Sequence, residues 1–179
     1  MKDSPAIASA RQWLETVVVG LKLCPFANRE LENGRVRFAV TDAETETELL
    51  MALRSELRVL TDDASVETTL LIHPQMLLDF YDFNDFLQVA DTLLIDLALE
   101  GVVQIASFHP EYQFEGTAPD DVQNYTNRSP NPMLHLIRED SLARAIAAYP
   151  DVAHIPERNV ALMQSMGSRK VRALLEKCS

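Results

Sequence analysis

The hydrophobic positions switch repeatedly between helical spacing and the spacing of β-strands along the chain. A first helix is predicted to begin at Ser4, a common N-cap residue, and to end near Leu23, because Pro25 disfavours helical geometry at the residue before it. Trp13 falls in the apolar stripe of this helix. It is therefore predicted to belong to the core and not to a ligand site.

The next part of the chain predicts three strands separated by two amphipathic helices. The first strand alternates, with Val36, Phe38 and Val40 on one face, which indicates an edge strand with one face near solvent. The other two are apolar without alternation, as buried strands are. This order is typical of a parallel sheet with right-handed crossovers. The predicted strands cover residues 35–40, 68–73 and 102–108, and the helices cover residues 49–60 and 82–99.

Three shorter helices are predicted in the last third of the chain, over residues 132–148, 156–166 and 168–177. No linker or internal repeat divides the chain, so residues 1–179 are predicted to form a single globular domain. The fold class is α/β, with a small, mainly parallel sheet built on a strand–helix–strand–helix–strand core. An N-terminal helix and the three C-terminal helices are predicted to flank this sheet.

Composition and charge narrow the classes of protein. A hydrophobic content of 47% and a charged content of 24% are ordinary for a soluble globular protein. The net charge of −11 argues against a nucleic-acid binder, which needs clustered Lys and Arg. No apolar run is long enough to cross a membrane and no signal-peptide core is seen, so a cytoplasmic location without membrane association is expected. The oligomeric state cannot be read from these features.

The longest segment without helical or strand periodicity covers residues 110–131, a connection of about 22 residues, and such loops are usually functional or disordered. Its aromatic residues and prolines argue against disorder. We therefore expect an ordered loop across the carboxyl edge of the sheet, with Tyr112, Phe114 and Tyr125 partly buried. The composition of this segment indicates a functional site but does not identify a reaction.

A His-Pro pair closes each of the two buried strands, at His73 and at His109. Ligand sites of open parallel sheets lie beyond the carboxyl ends of the strands, so both imidazoles are expected to emerge at that edge if the two strands are neighbours. The alternative is that each His-Pro pair forms a turn with a satisfied, partly buried ring.

A candidate anion site follows the loop. His135 and Arg138 are three residues apart in a segment that Pro132 marks as a helix start, so they are expected to share one face. A helix N-terminus favours an anion, and Arg128 just before it adds a guanidinium fork. The alternative is that Arg138 pairs with a loop acid such as Asp120 and holds the loop in place.

Metal and cofactor sites are not predicted. Three histidines and Cys24 could satisfy zinc by composition, but no two of them have a short ligand spacing. Glycine-rich phosphate loops are absent from the sequence. Cys24 follows a helix C-terminus, whose dipole disfavours a thiolate, so it is interpreted as a buried structural thiol unless His109 or Arg128 folds against it. Both cysteines are expected to be reduced.

Five sequence elements together resemble a bacterial family known only as a domain of unknown function. The resemblance covers nearly the whole chain, and the fourth element is long enough to be specific. It implies no activity, cofactor or catalytic residue. The elements are residues 20–27 (GLKLCPFA), 67–74 (ETTLLIHP), 108–110 (FHP), 124–139 (NYTNRSPNPMLHLIRE) and 155–159 (IPERN).

Two hypotheses of different classes remain open from the sequence. In the first, the protein is an enzyme that binds a phosphate- or carboxylate-bearing small molecule and uses His109 and His135 for acid–base chemistry. In the second, the protein is a non-catalytic scaffold or interaction domain whose polar loop is structural. The enzyme hypothesis places Arg128, Arg138, Asn124, Asn127, Tyr112 and His73 in substrate binding.

Overall fold

The computed structural model describes residues 4–149 and 151–178. Its N-terminal half contains α1 (Pro5–Trp13), which continues as a wider π-helical segment (Leu14–Val19), then α2 (Ala27–Glu32), β1 (Val36–Val40), α3 (Glu46–Asp62), β2 (Thr68–Ile72) and α4 (Phe80–Asp96). The second half contains β3 (Val103–Phe108), β4 (Met133–Arg138), α5 (Glu139–Ala148), α6 (Ile155–Met166) and α7 (Ser168–Glu176), with short 3₁₀ turns at Val122–Thr126 and Val152–His154. The predicted first helix, alternating first strand and last two helices are confirmed.

The four strands form one sheet in the order β1-β2-β4-β3. β1 and β2 are parallel, whereas β4 pairs antiparallel with both β2 and β3. The prediction of a mainly parallel sheet is therefore wrong, although a mixed helix and sheet fold is confirmed. The three predicted strands do run in the same direction, but the chain returns through the long loop and inserts β4 between two of them. As a result β3 is an edge strand, half-exposed over most of its length.

The predicted helix over residues 132–148 is wrong in its first half. Pro132 was interpreted as a helix start, but Met133–Arg138 form a central strand whose alternate residues are buried against two different layers. A helix begins only at Glu139. Residues three apart share a face in a helix but lie on opposite faces in a strand. His135 and Arg138 therefore point to opposite faces of the sheet.

Each face of the sheet is covered by a separate layer of helices. One face packs against α3 and α4 and forms a dense core of leucines and phenylalanines. The other face packs against α1, α6 and α7, with Trp13 only 1% exposed. The core position predicted for Trp13 is confirmed. Within residues 4–149 and 151–178, no helix is both long and apolar enough to cross a membrane.

Candidate functional site

A cavity of about 600 Å³ lies between the second face of the sheet and the helices above it. It exists because α1 covers only part of this face, while α5 and the segment before α2 form its other walls. The strand residues that face it follow from the cross-strand register, which places Leu70, His135 and Ala106 side by side on three neighbouring strands. Most of its lining is apolar and includes Leu14, Val18, Val36, Leu70, Phe108 and Ile137.

His135 is the titratable ring on the floor of this cavity. Its Nε2 lies 2.5 Å from the hydroxyl of Thr68, which in turn donates to the carbonyl of Leu136 over 2.8 Å. A hydroxyl has a single hydrogen, so Thr68 Oγ1 accepts from His135 Nε2–H. The neutral ring consequently carries its lone pair on Nδ1. This atom has no hydrogen-bond partner in the described chain and is not fully buried, so it can be reached from the cavity.

The surroundings of His135 disfavour its charged form. Burial lowers the pKa of His135 to about 4. The ring is therefore a neutral hydrogen-bond acceptor near pH 7.

A charged cluster lies beside this ring at the end of the cavity. Arg35 forms ion pairs with Glu67 and with Glu30, the latter with 3.4 Å between Nε and Oε2. Glu67 is buried and precedes Thr68 directly in the chain. Because one guanidinium serves two carboxylates, Arg35 has little charge left for a ligand.

The wall formed by Cys24 and Phe26 is held in place by α6. Arg158 donates to the carbonyl of Lys22 over 2.6 Å, and Asn159 donates to the carbonyl of Leu23 over 2.8 Å. These carbonyls lie in the turn that follows the first helix and receive their hydrogen bonds from α6. Two of the five sequence elements, residues 20–27 and residues 155–159, therefore meet and fix one wall of the cavity.

The mouth of the cavity carries two further arginines. Arg29 is 80% exposed and has one ionic contact among the described residues, at 3.8 Å from Glu30. Arg144 on α5 donates to the hydroxyl of Ser141 over 2.8 Å. Both line the cavity together with Tyr149. Their remaining N–H groups can bind an anion at the entrance.

The two strand-end histidines lie elsewhere, on the α4 side of the sheet. Both pack on Phe83, with ring centroids at 5.8 Å for His73 and 5.0 Å for His109. β4 lies between β2 and β3, so the two strands are not neighbours, which the expected emergence of both rings at one edge required. Both nitrogens of His109 are bonded to backbone, to Leu77 O and to the N–H of Glu111. His73 Nδ1 donates to Met76 O, and its Nε2 is buried without a partner in the described chain.

Burial is the main influence on both of these histidines. It lowers the pKa of His73 to about 4, with the bond to Met76 opposing the shift and His109 adding to it. Burial also lowers the pKa of His109, against the opposing bond to Leu77 and the nearby Glu111. Both rings are fully buried, and a role for them in catalysis or substrate binding stays a prediction.

The polar residues of the long loop bind to one another. Buried Asn124 accepts from the N–H of Phe114 over 3.0 Å and donates to Ala118 O over 2.8 Å. Arg128 donates to the carbonyls of Tyr112 and Pro119 and lies 4.5 Å above the ring of Tyr125.

Aromatic packing and one further amide complete the loop. The ring of Tyr112 packs on Phe80 and Phe114, and Asn127 donates to Ser107 O over 3.3 Å. Tyr112 and Phe114 are partly buried and Tyr125 is buried, so the expected burial of these three aromatic residues is confirmed. These bonds give Asn124, Asn127, Tyr112 and Arg128 a structural role, and their role in substrate binding stays a prediction.

Arg138 lies on the opposite face of the sheet from His135. Its guanidinium donates to three carbonyls at the end of α3, those of Leu60, Asp63 and Val66. No helix begins at Pro132, so the expected anion site at that N-terminus has no basis in the fold. Arg138 does hold a segment in place, as the alternative interpretation stated, but through carbonyls and not through Asp120.

His135 is the only predicted site residue that lines the cavity. Sequence reasoning missed Thr68, Arg35, Glu67, Arg29 and Arg144, and it interpreted Cys24 as buried although this residue is partly exposed and lines the cavity. The available signals were the element GLKLCPFA, which contains Cys24, and the element ETTLLIHP, which contains Glu67 and Thr68. In the described ranges, no group of three or more His, Cys, Asp or Glu residues is arranged to hold a metal ion.

Comparison with known proteins gives one result. No curated protein and no solved structure matches this chain. A family model matches nearly its whole length, residues 5–173, and therefore includes both the cavity and the loop. The chain belongs to the family described as "Protein of unknown function (DUF1415)".

Proposed function

We propose that the protein is an enzyme that binds a small anionic molecule in the sheet cavity, and that His135 exchanges a proton with this molecule. The observation that carries the proposal is the unpartnered Nδ1 of His135 on the floor of an apolar cavity of about 600 Å³. Cavities of this size, lined by apolar residues and a few polar groups, are typical small-molecule sites. The acid–base role that the sequence suggested for His135 is kept in this proposal. The proposed site is the cavity on the sheet and not the long loop.

An anionic substrate would strengthen the base that acts on it. Burial lowers the pKa of His135 to about 4, so the empty site holds a neutral ring with a low proton affinity. A negative charge bound in the same enclosure favours the imidazolium and raises this pKa toward neutrality. General bases are most effective when their pKa lies near the working pH. Substrate binding and base activation are therefore coupled by electrostatics.

Thr68 acts as a positioning residue in this proposal. Its hydroxyl accepts from Nε2 and thereby keeps the lone pair of His135 on Nδ1. Thr68→Val removes the hydroxyl and keeps the shape of the side chain. We expect it to change the tautomer of His135, which ¹⁵N NMR of the imidazole detects independently of any activity.

Cys24 offers a direct test because a matched pair of reagents can place or omit a charge in the cavity. Iodoacetate adds a carboxylate to the thiol, and iodoacetamide adds its neutral isostere. Cys178 is 1% exposed, so modification is expected at Cys24, and Cys24→Ala gives the background. We expect the pKa of His135, measured by NMR titration, to be higher in the carboxymethylated protein than in the carbamidomethylated one.

Two results would contradict the proposal. One is an equal His135 pKa in the two modified proteins, which would separate the ring from charges in the cavity. The other is protonation of His135 at Nδ1 in the unmodified protein, which would remove the acceptor. The His73 resonances serve as an internal control, because that ring lies on the other side of the sheet.

The second candidate function, a non-catalytic scaffold, is favoured by the bonding of the loop. The side chains of Asn124, Asn127 and Arg128 bond to protein groups, which supports a structural loop. The two candidates differ in what His135→Gln changes. A scaffold keeps its partner binding in this variant, whereas the enzyme loses turnover of a cavity ligand while retaining its fold.

A further inference from the structure

We infer that the ligand of this cavity is a monocarboxylic acid with an apolar body, whose carboxylate binds Arg144 while the body lies along the sheet. This inference rests on the proposed function and adds the chemical class of the substrate. It is drawn from the distribution of charge around the cavity and from the nature of its walls.

The three arginines that line the cavity are not equivalent. The positive charge of Arg35 is balanced by Glu67 and Glu30, and Glu30 also lies 3.8 Å from the exposed Arg29. Arg144 bonds to the neutral hydroxyl of Ser141 and has no ionic contact among the described residues. The guanidinium fork matches a carboxylate in two parallel hydrogen bonds. Arg144 is therefore the arginine with unused donors and an unbalanced charge for an anion.

The overall charge of the protein favours an anion with a single charge. A chain of net charge −11 repels anions at long range, and this repulsion grows with the charge of the ligand. A phosphate monoester carries nearly two charges near neutral pH. Among the described residues that line the cavity, Arg144 is the arginine without an ionic contact, and one guanidinium balances the single charge of a carboxylate.

The walls of the cavity favour a ligand with an apolar body. Leu14 and Val18 from the first helix face Leu70 and Phe108 on the sheet across the cavity. Each methylene that leaves water for such walls increases affinity by about fourfold. The volume of about 600 Å³ accommodates a ligand much larger than acetate. Affinity should therefore rise with chain length until the cavity is filled.

The experiment compares four probes with the full-length protein: hexanoate, octanoate, 1-octanol and octyl phosphate. Calorimetry gives the dissociation constants, and the His135 imidazole resonances report where each probe binds. We expect octanoate to bind more tightly than hexanoate by about 16-fold, because two methylenes are added. Octanoate is also expected to bind more tightly than octanol and octyl phosphate, and to shift the His135 resonances.

Substitution at the mouth supplies the second arm. Arg144→Gln should weaken octanoate binding by about tenfold, the loss of roughly one charge-assisted hydrogen bond. Its effect on octanol should be small. Arg169→Gln is the matched control, because Arg169 is exposed on α7 and does not line the cavity. This variant should bind octanoate as the unmodified protein does.

The outcomes separate the inference from the proposed function. If octanol equals octanoate and both shift His135, the carboxylate assignment is wrong and the cavity remains the binding site. If octyl phosphate binds most tightly, the head group is a phosphate and the inference is again wrong. If no probe shifts the His135 resonances, both the inference and the proposed site are overturned.

Discussion

The loop at residues 110–131 and the cavity on the sheet differ in whether their polar side chains have hydrogen-bond partners within the protein. In the loop, the side chains of Asn124, Arg128 and Asn127 bond to nearby backbone groups. In the cavity, His135 Nδ1 has no partner in the described chain and two arginines keep unused donors. The dense polar sequence of this segment therefore stabilises the conformation of the loop, because its polar groups form hydrogen bonds with nearby protein groups. The open site lies where the chain leaves polar groups unsatisfied.

Trp13 connects these two regions. Its ring lines the cavity and packs edge-on against Phe108 with centroids 5.0 Å apart. Its indole N–H donates to the carbonyl of Arg128 in the loop over 3.0 Å. The same side chain thus supports the wall of one region and anchors the other.

The largest effect is expected from Trp13→Ala, which removes both functions of the ring. We expect the free energy of unfolding to fall by about 3–5 kcal/mol, measured by urea denaturation followed by circular dichroism. Trp13→Phe is the matched control: it keeps an aromatic ring but loses the bond to Arg128 and part of the buried ring volume, at a smaller cost of about 1–3 kcal/mol. A loss within about 0.5 kcal/mol for Trp13→Ala would contradict the buried position of the ring.

Acid pH should destabilise the protein through one histidine on each side of the sheet. His73 and His135 have a folded-state pKa of about 4, below the ordinary value of 6.5. As pH falls from 6.5 toward 4, the unfolded chain therefore binds protons that the folded protein does not. Each ring should lower the free energy of unfolding by about 3 kcal/mol over this window.

Two single substitutions separate these contributions. His73→Asn keeps a donor for Met76 O, and His135→Gln keeps an amide that can bond to Thr68. Urea denaturation at a series of pH values should show a flatter stability profile for each variant than for the unmodified protein. An unchanged profile in both variants would mean that the two rings titrate normally in the folded state.

Asn124→Ala should destabilise the loop and leave the cavity intact. The substitution leaves the N–H of Phe114 and the carbonyl of Ala118 without their partners, at a cost of about 2–3 kcal/mol. Amide exchange should accelerate in the loop, while the His135 resonances stay in place. The control is Asn84→Ala on the exposed side of α4, expected within about 0.5 kcal/mol. Shifted His135 resonances would show that the two regions are coupled.

The smallest effect on stability is expected from filling the cavity. Ala145→Phe enters it from α5 and should change the free energy of unfolding by no more than about 0.5 kcal/mol. Modification of Cys24 by iodoacetamide should slow by about tenfold, which corresponds to 1.4 kcal/mol in the barrier. Ala143→Phe on the exposed side of the same helix is the control. Equal rates in the two variants would contradict access to Cys24 through the cavity.

Local patterns predicted most of the helices and strands correctly. The alternation of Val36, Phe38 and Val40 placed an edge strand, and the uninterrupted apolar run at Thr68–Ile72 placed a central one. Proline and glycine positions gave the start of α1 and both ends of α6, whereas the first helix with its π-helical segment ends at Val19, four residues before the predicted Leu23. These features depend on neighbours in sequence, which is why single-sequence patterns determine them.

The exception was β4. Its residues follow Pro132, which is common both at a helix start and just before a strand. Only pairing with β2 and β3 favours the extended form, and those partners lie far away in sequence. A helix at these residues would place Arg138 and His135 on the same face, whereas β4 places them on opposite faces of the sheet.

The sequence by itself determined most of the elements and the burial of Trp13 and of the aromatic loop residues, because each follows from hydrophobic spacing or aromatic content. Tertiary structure alone decided the site. His135 meets Thr68 and the wall at Cys24 only because β4 enters the sheet antiparallel beside β2. A one-residue difference in register would turn His135 to the other face of the sheet. Which side chains share a cavity is fixed by long-range strand pairing, and local sequence patterns do not contain that information.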